Sequence, residues 1–92
     1  MIESFRHKGL RKFYDEGETR FLPAEEVDKI RRILTYLDAA QKPESMNVPG
    51  FHFHPLKGDY KGFYAVTVRA NWRIIFRFAD GNALDVDYLD YH

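Results

Sequence analysis

Apolar positions in this chain keep two spacings, and the change between them falls near the middle. Up to about residue 40 they recur every three or four residues, as on one side of a helix. Leu10, Phe13 and Tyr14 share a side of a helix expected from His7 to Glu16, while Lys8, Arg11, Lys12 and Asp15 take the other. Gly17 stands where such a helix ends, because only a residue at ease with positive φ closes it well. A second helix is expected from Pro23, which suits a first turn that needs no amide donor, to about Ala39–Ala40. Glu25 and Glu26 complement its dipole. Val27, Ile30, Ile33, Leu34 and Leu37 form its buried stripe, and Glu25–Lys29 and Asp28–Arg32 are spaced as four-apart ion pairs. Met1 to Phe5 reads as a short opening strand. Residues 41–50, with Pro43 and Pro49, read as a loop.

From Phe51 the period falls to two, so neighbouring side chains point to opposite faces of a sheet. Phe51 and Phe53 alternate with His52 and His54, and Pro55 closes that strand. Residues 58–62 form a turn. Tyr64, Val66 and Val68 share one face, as do Trp72, Ile74, Phe76 and Phe78, and then Leu84, Val86 and Tyr88. Facing sets the loop lengths, because a slip of one residue turns every side chain over. A two-residue loop at Ala70–Asn71 puts Arg69 on the face of Trp72. A three-residue connection, Arg69 to Asn71 with Asn71 left-handed, opposes Val68 to Trp72 instead. The same reasoning expects a three-residue turn, Asp80 to Asn82, with Phe78 opposite Leu84, Phe76 opposite Val86, Ile74 opposite Tyr88, Arg77 opposite Asp85 and Arg73 opposite Leu89. A β-bulge would spoil this count. One sheet face is then apolar and the other cationic.

Helices ahead of hairpins imply an α+β domain, two N-terminal helices packed on one face of a mostly antiparallel sheet of four to five strands. With 92 residues, a single domain covering 1–92 is expected, and 45% hydrophobic content is enough to give it a core. There is no cysteine, no run of membrane-spanning length and no signal-peptide pattern, which together favour a cytoplasmic protein. Net charge is zero, so nucleic acid is not bound by bulk charge, and any anion site must be local. Lys57, Lys61, Arg69, Arg73 and Arg77 cluster in the second half with Asp59 against them.

The chemistry-bearing residues gather near that cationic face. Arg73 and Tyr91 lie on it, while His54, Lys57 and His92 stand at strand ends or turns. Cutting RNA without a metal requires a base for the 2′-hydroxyl, in-line geometry, cations for the phosphate charge and an acid for the leaving oxygen. Histidine suits proton transfer near neutral pH and arginine forks onto phosphate oxygens. Lysine neutralises charge or acts as a base, and tyrosine stacks on a base or donates a hydrogen bond. The alternatives are plainer. His52 and His54 also fit as outward polar residues, Arg77 as a structural partner of Asp85, and Lys8, Arg11 and Lys12 as a solvated helix face. Zinc is a poor match, because the histidines come from distant strands and no thiolate helps.

Four blocks of the sequence resemble the HigB toxins of the RelE-like superfamily. They are Met1-Ile2-x-Ser4-Phe5-x-His7-Lys8-Gly9-Leu10, His54-Pro55-Leu56-Lys57-Gly58-Asp59, Val68-Arg69-Ala70-Asn71-Trp72-Arg73-Ile74 and Asp90-Tyr91-His92. All lie in register, so the resemblance spans the chain. It implies a RelE-like fold and a ribosome-dependent, metal-independent mRNA endonuclease that cuts the codon in the 30S decoding site. Carried over residue by residue, His54, Lys57, Arg73, Tyr91 and His92 match the catalytic set, and Asn71, Asp90 and Arg69 match substrate contacts. Lys8, Arg11 and Lys12 are candidate ribosome contacts. The resemblance also implies a HigA-like helix-turn-helix antitoxin, with operator DNA reached only through the toxin–antitoxin complex, and no cofactor. Two other readings on the same fold are a ParE-like gyrase inhibitor and a non-catalytic binding module.

Overall fold

The computed structural model describes residues 1–91. Helix α1 spans Lys8–Glu16. His7 caps it, its Nδ1 accepting the Leu10 N–H at 3.1 Å, and Gly17 closes it at φ 73° with bonds to the Lys12 and Phe13 carbonyls. Leu10 and Phe13 are buried. Tyr14 is exposed, against expectation, because its hydroxyl donates to the Asp38 carboxylate. That bond pushes the Tyr14 pKa up to about 12 and holds Asp38 below the usual carboxylate range. Asp38 also accepts the Ile2 N–H at 3.1 Å, so it ties α1 to α2 and to the N-terminus.

Pro23 opens a 3-10 turn, Ala24–Glu26, and α2 itself runs Val27–Ala39. Its apolar stripe is buried as expected, but the four-apart ion pairs do not form. Asp28 binds Arg31 at 2.7 Å, Lys29 donates to the Gly50 carbonyl at 3.2 Å, and Arg32 lies 5.5 Å from the centre of the Phe51 ring. Exposed pairs contribute about 0.2–0.5 kcal/mol, too little to hold these side chains against tertiary contacts. Residues 41–50 are more than a loop. They include the 3-10 turn Pro43–Met46, which drives the Met46 side chain fully into the core.

The sheet has four antiparallel strands in the order β1–β2–β3–β4: β1 His54–Pro55, β2 Tyr64–Arg69, β3 Trp72–Ala79 and β4 Asn82–Asp90. β1 is far shorter than the alternation from Phe51 suggests. His52 is left-handed at φ 52° and interrupts extension, while Phe51 turns into the core. The opening segment runs parallel to β4 through bridges Ile2↔Ala83 and Phe5↔Val86, covering that sheet edge.

Both hairpin turns are two residues long, not three. Arg69 pairs with Trp72 and Ala79 with Asn82. The left-handed residues are Ala70 in the first turn, not Asn71, and Asp80 with Gly81 in the second. Each missing turn residue reappears as a bulge within a strand. Val68 is extra between the pairs Arg69↔Trp72 and Thr67↔Arg73. Asp85, at φ 53°, is extra where Ile75↔Asp87 gives way to Arg77↔Leu84. Beyond each bulge the expected facing returns, with Val68 only 3% exposed and Ile74 opposite Tyr88. Before the second bulge it is reversed. Phe78 pairs with Ala83, and Ala83 rather than Leu84 is fully buried. Arg77 pairs with Leu84 along the ladder yet still reaches Asp85 at 3.2 Å.

Val66, Val68, Ile74, Phe76, Val86 and Tyr88 pack under both helices. Trp72, expected in that layer, is 42% exposed and rests its ring 5.0 Å from that of Tyr88. The opposite face is not purely cationic. Leu56, Phe63, Ala65 and Ile75 form a second buried cluster there, with Tyr60, Leu89 and Tyr91 at its margin.

Candidate active site

Register assigns residues to the open face without ambiguity. Thr67, Arg73 and Leu89 form one row across β2, β3 and β4; His54, Ala65, Ile75 and Asp87 form the next. Arg73 therefore sits opposite the helices, as expected, and opposite Leu89. Its Nη1 donates to the Ala70 carbonyl, so the two-residue turn itself aims the guanidinium. The Nε is covered and has no hydrogen-bond partner in the structure, and Arg73 forms none of the ion pairs found among the described residues. A buried donor without an acceptor costs about 1–3 kcal/mol, and one in a native fold calls for a reason.

His54 is held on β1 with Nδ1 3.0 Å from the His52 carbonyl. A carbonyl oxygen only accepts, so in this contact Nδ1 is the donor. One row and two strands separate His54 from Arg73, roughly 12 Å between backbones at ordinary sheet spacings, a gap that their side chains and one phosphodiester can fill. Lys57 is exposed and leads the 3-10 turn Gly58–Tyr60. Tyr91 is anchored: its N–H donates to the Asn71 carbonyl at 2.8 Å and its ring meets that of Tyr60 edge-on at 5.8 Å. The hairpin turn thus holds Arg73 by one carbonyl and the C-terminal strand by the next. Asp90 pairs with Trp72 at the end of β4. His92 lies outside the described residues.

Other candidates go elsewhere. Arg69 leans toward α2, its Nε 3.7 Å from the Glu26 carboxylate, so the structure does not bring it to Arg73. Lys8, Arg11 and Lys12 belong to α1, which packs on the other face, and Lys12 pairs with Glu16 at 4.0 Å. Tyr60 was missed by sequence reasoning because it falls inside a turn. Ile75 was missed because it breaks the alternation, and that break was its one signal.

Two clefts, of about 370 and 410 Å³, lie in the helical layer, and none of His54, Lys57, Arg73 or Tyr91 lines them. The candidate residues lie on the sheet face away from the helices, with Lys57 exposed and His54, Arg73 and Tyr91 half-buried. Among the described residues no three His, Asp or Glu side chains converge as metal ligands. No helix among them is long and apolar enough to cross a membrane.

The family model for the RelE-like toxin HigB of type II toxin–antitoxin systems matches residues 3–92. The chain belongs to the HigB-like toxin family. It is 46% identical to Endoribonuclease HigB of Proteus vulgaris over 92 residues, all of both chains. It is 37% identical to Toxin HigB-1 of Vibrio cholerae over 94 residues, all of this chain and 98% of that one. The fold resembles the crystal structure of YafQ from E. coli with a TM-score of 0.61, at 15% identity, covering 95% of this chain and 89% of that one. Membership of this family makes the chain a toxin of the kind that pairs with a cognate antitoxin.

Proposed function

We propose that this HigB-like toxin is an endoribonuclease that enters the 30S decoding site and cuts the mRNA codon there, without a metal ion. The observation that carries the reading is Arg73, aimed by a backbone carbonyl onto an open face and paired with no carboxylate among the described residues. A guanidinium so held suits the charge that builds on a phosphate under attack. The names of the HigB relatives support the same chemistry.

In this mechanism the RNA 2′-oxygen attacks the adjacent phosphorus and gives up its proton. The bond from phosphorus to the 5′-oxygen breaks, and that oxygen takes a proton. The products are a 2′,3′-cyclic phosphate and a 5′-hydroxyl. His54 and His92 divide proton transfer and substrate orientation, work that contributes about 10²–10⁴-fold. Lys57 neutralises phosphate charge or helps remove the proton. Tyr91 stacks on or positions the nucleotide, and Asn71 and Asp90 contact the substrate beside it. Arg69 is a weaker contact, because the Glu26 carboxylate already engages it. Lys8, Arg11 and Lys12 contribute to ribosome docking away from the cut. The partner is a HigA-like helix-turn-helix antitoxin, through which operator DNA is bound, and the setting is the cytoplasm. Residues 1–92 act as one domain.

Primer extension on mRNA after expression, with and without ribosome engagement, tests this. Cleavage within codons only on engaged ribosomes, abolished by Arg73→Ala and by His92→Ala, is the expected result. Full cleavage by both variants overturns the assignment, and DNA gyrase poisoned in a plasmid supercoiling assay redirects it to a ParE-like activity.

A further inference from the structure

The open face carries a second cationic group that the mechanism above does not use. Arg6 leaves the opening segment where its N–H bonds the Val86 carbonyl at 2.8 Å, and its guanidinium lies 5.0 Å from the centre of the Phe63 ring. Arg77, on β3, lies 5.8 Å from the same ring. Two guanidinium groups thus share one aromatic ring. Stacking uses the flat face of a guanidinium and leaves its in-plane N–H groups directed outward. Arg77 spends part of that capacity on Asp85 at 3.2 Å. Arg6 forms none of the ion pairs found among the described residues. The nearby Asp87 carboxylate accepts the Tyr88 N–H instead. Asp85 and Asp87 balance the charge at this end of the sheet, but of the two arginines only Arg77 is engaged in an ion pair among the described residues.

Its position relative to Arg73 is informative. Arg73 and Arg77 stand on the same face of β3, four residues or roughly 13 Å apart at ordinary strand rise. Between them runs a line of aromatic rings. Tyr60 meets Tyr91 at 5.8 Å and Phe63 at 5.8 Å, edge-on in both contacts. Cations thus stand at two places on a face whose margin carries the Tyr60 and Tyr91 side chains, which suits a single-stranded polyanion.

We propose that Arg6, Phe63 and Arg77 form a second phosphodiester subsite, which holds the RNA backbone on one side of the phosphate that Arg73 engages. This rests on the reading of the chain as an endoribonuclease. The ligand is an RNA phosphodiester, from the mRNA beside the codon or from ribosomal RNA. The Phe63 ring is the positioning element that gathers both guanidinium groups at one place.

The test measures codon cleavage on ribosomes programmed with a defined mRNA, over a range of salt concentrations, for wild type, Arg6→Gln, Arg77→Gln and the double variant. The double variant is expected to raise KM severalfold with kcat nearly unchanged. The salt dependence of kcat/KM flattens by about 0.7–1 in log–log slope for each arginine removed. Arg77→Lys keeps the charge and restores most of the salt slope. A neutral methylphosphonate at single linkages beside the codon separates the sources. If mRNA is held, one such linkage raises KM for wild type but not for the double variant; if ribosomal RNA is held, no linkage does so and the variants keep their raised KM. Should Arg77→Gln lower the unfolding temperature through loss of Asp85, Arg6→Gln alone decides the question, since its guanidinium contacts the Phe63 ring and joins no ion pair among the described residues. Wild-type KM and salt slope in Arg6→Gln and the double variant overturn the subsite while leaving the nuclease reading intact. A wild-type protein that cleaves nothing overturns the nuclease reading itself.

Discussion

The two faces of the sheet are built from the same strands and put to different uses. On the covered face, Val66, Ile74, Phe76 and Val86 are closed off by Leu10, Ile30, Ile33 and Leu37 of the helices. On the open face, Leu56, Phe63, Ala65 and Ile75 bury one another with Tyr60, Leu89 and Tyr91 at the margin and no helix above them. The covered cluster carries most of the stability. The smaller one holds Arg73 and Tyr91 at fixed positions while leaving their working groups outside. A polymer-binding surface needs this second arrangement, because a helical layer above Arg73 would exclude the substrate.

Substitutions on either side test that division. Phe76→Ala, fully buried under the helices, is expected to cost about 3–5 kcal/mol of stability in denaturant unfolding. Arg73→Ala is expected to lower codon cleavage about a hundred- to thousandfold, as loss of one charge-stabilising donor does, with the unfolding midpoint unchanged or slightly raised. A large loss of stability in Arg73→Ala would show that the open face is structural too. Ile75→Ala tests the boundary between the two. It is expected to cost about 2 kcal/mol and also to weaken cleavage, by loosening the support beneath Arg73.

The smallest effect concerns pH and is confined to the covered side. Burial holds the His7 pKa below its ordinary value, with Asp87 partly opposing. The folded state therefore favours the neutral ring that caps α1. The cap's contribution, about 1 kcal/mol, is complete above the unfolded value near 6.5 and is lost as pH falls through the lower folded value. Asp38, also depressed, loses its contribution only at more acidic pH. Thermal unfolding of His7→Asn, whose cap does not titrate, is expected to lack the wild-type decline that sets in as pH falls below the ordinary histidine value of 6.5.

How legible these faces were depended on which forces acted locally. The helical stripes and the Gly17 stop are local properties, and they were readable. The α+β layering and the outward position of Arg73 followed from period alone. Turn lengths did not. Facing fixes the number of residues between two inward side chains, but not whether the extra one sits in the turn or in a bulge. Val68 and Asp85 show the bulge taking it, and Leu84 is the residue whose assignment suffered. The Arg69–Glu26 contact was not readable, because the two residues lie more than forty positions apart and no periodicity links them. Tyr60 and the Arg6–Phe63 contact depend on the three-dimensional path of the chain for the same reason. The roles of His54, Lys57 and Tyr91 come from resemblance; geometry adds that His54 and Tyr91 share a face with Arg73.

The bridges from Ile2 to Ala83 and from Phe5 to Val86 join the beginning of the chain to its end. The opening segment therefore depends on partners about eighty positions further along the chain, a long closure of the kind that slows folding more than it weakens stability.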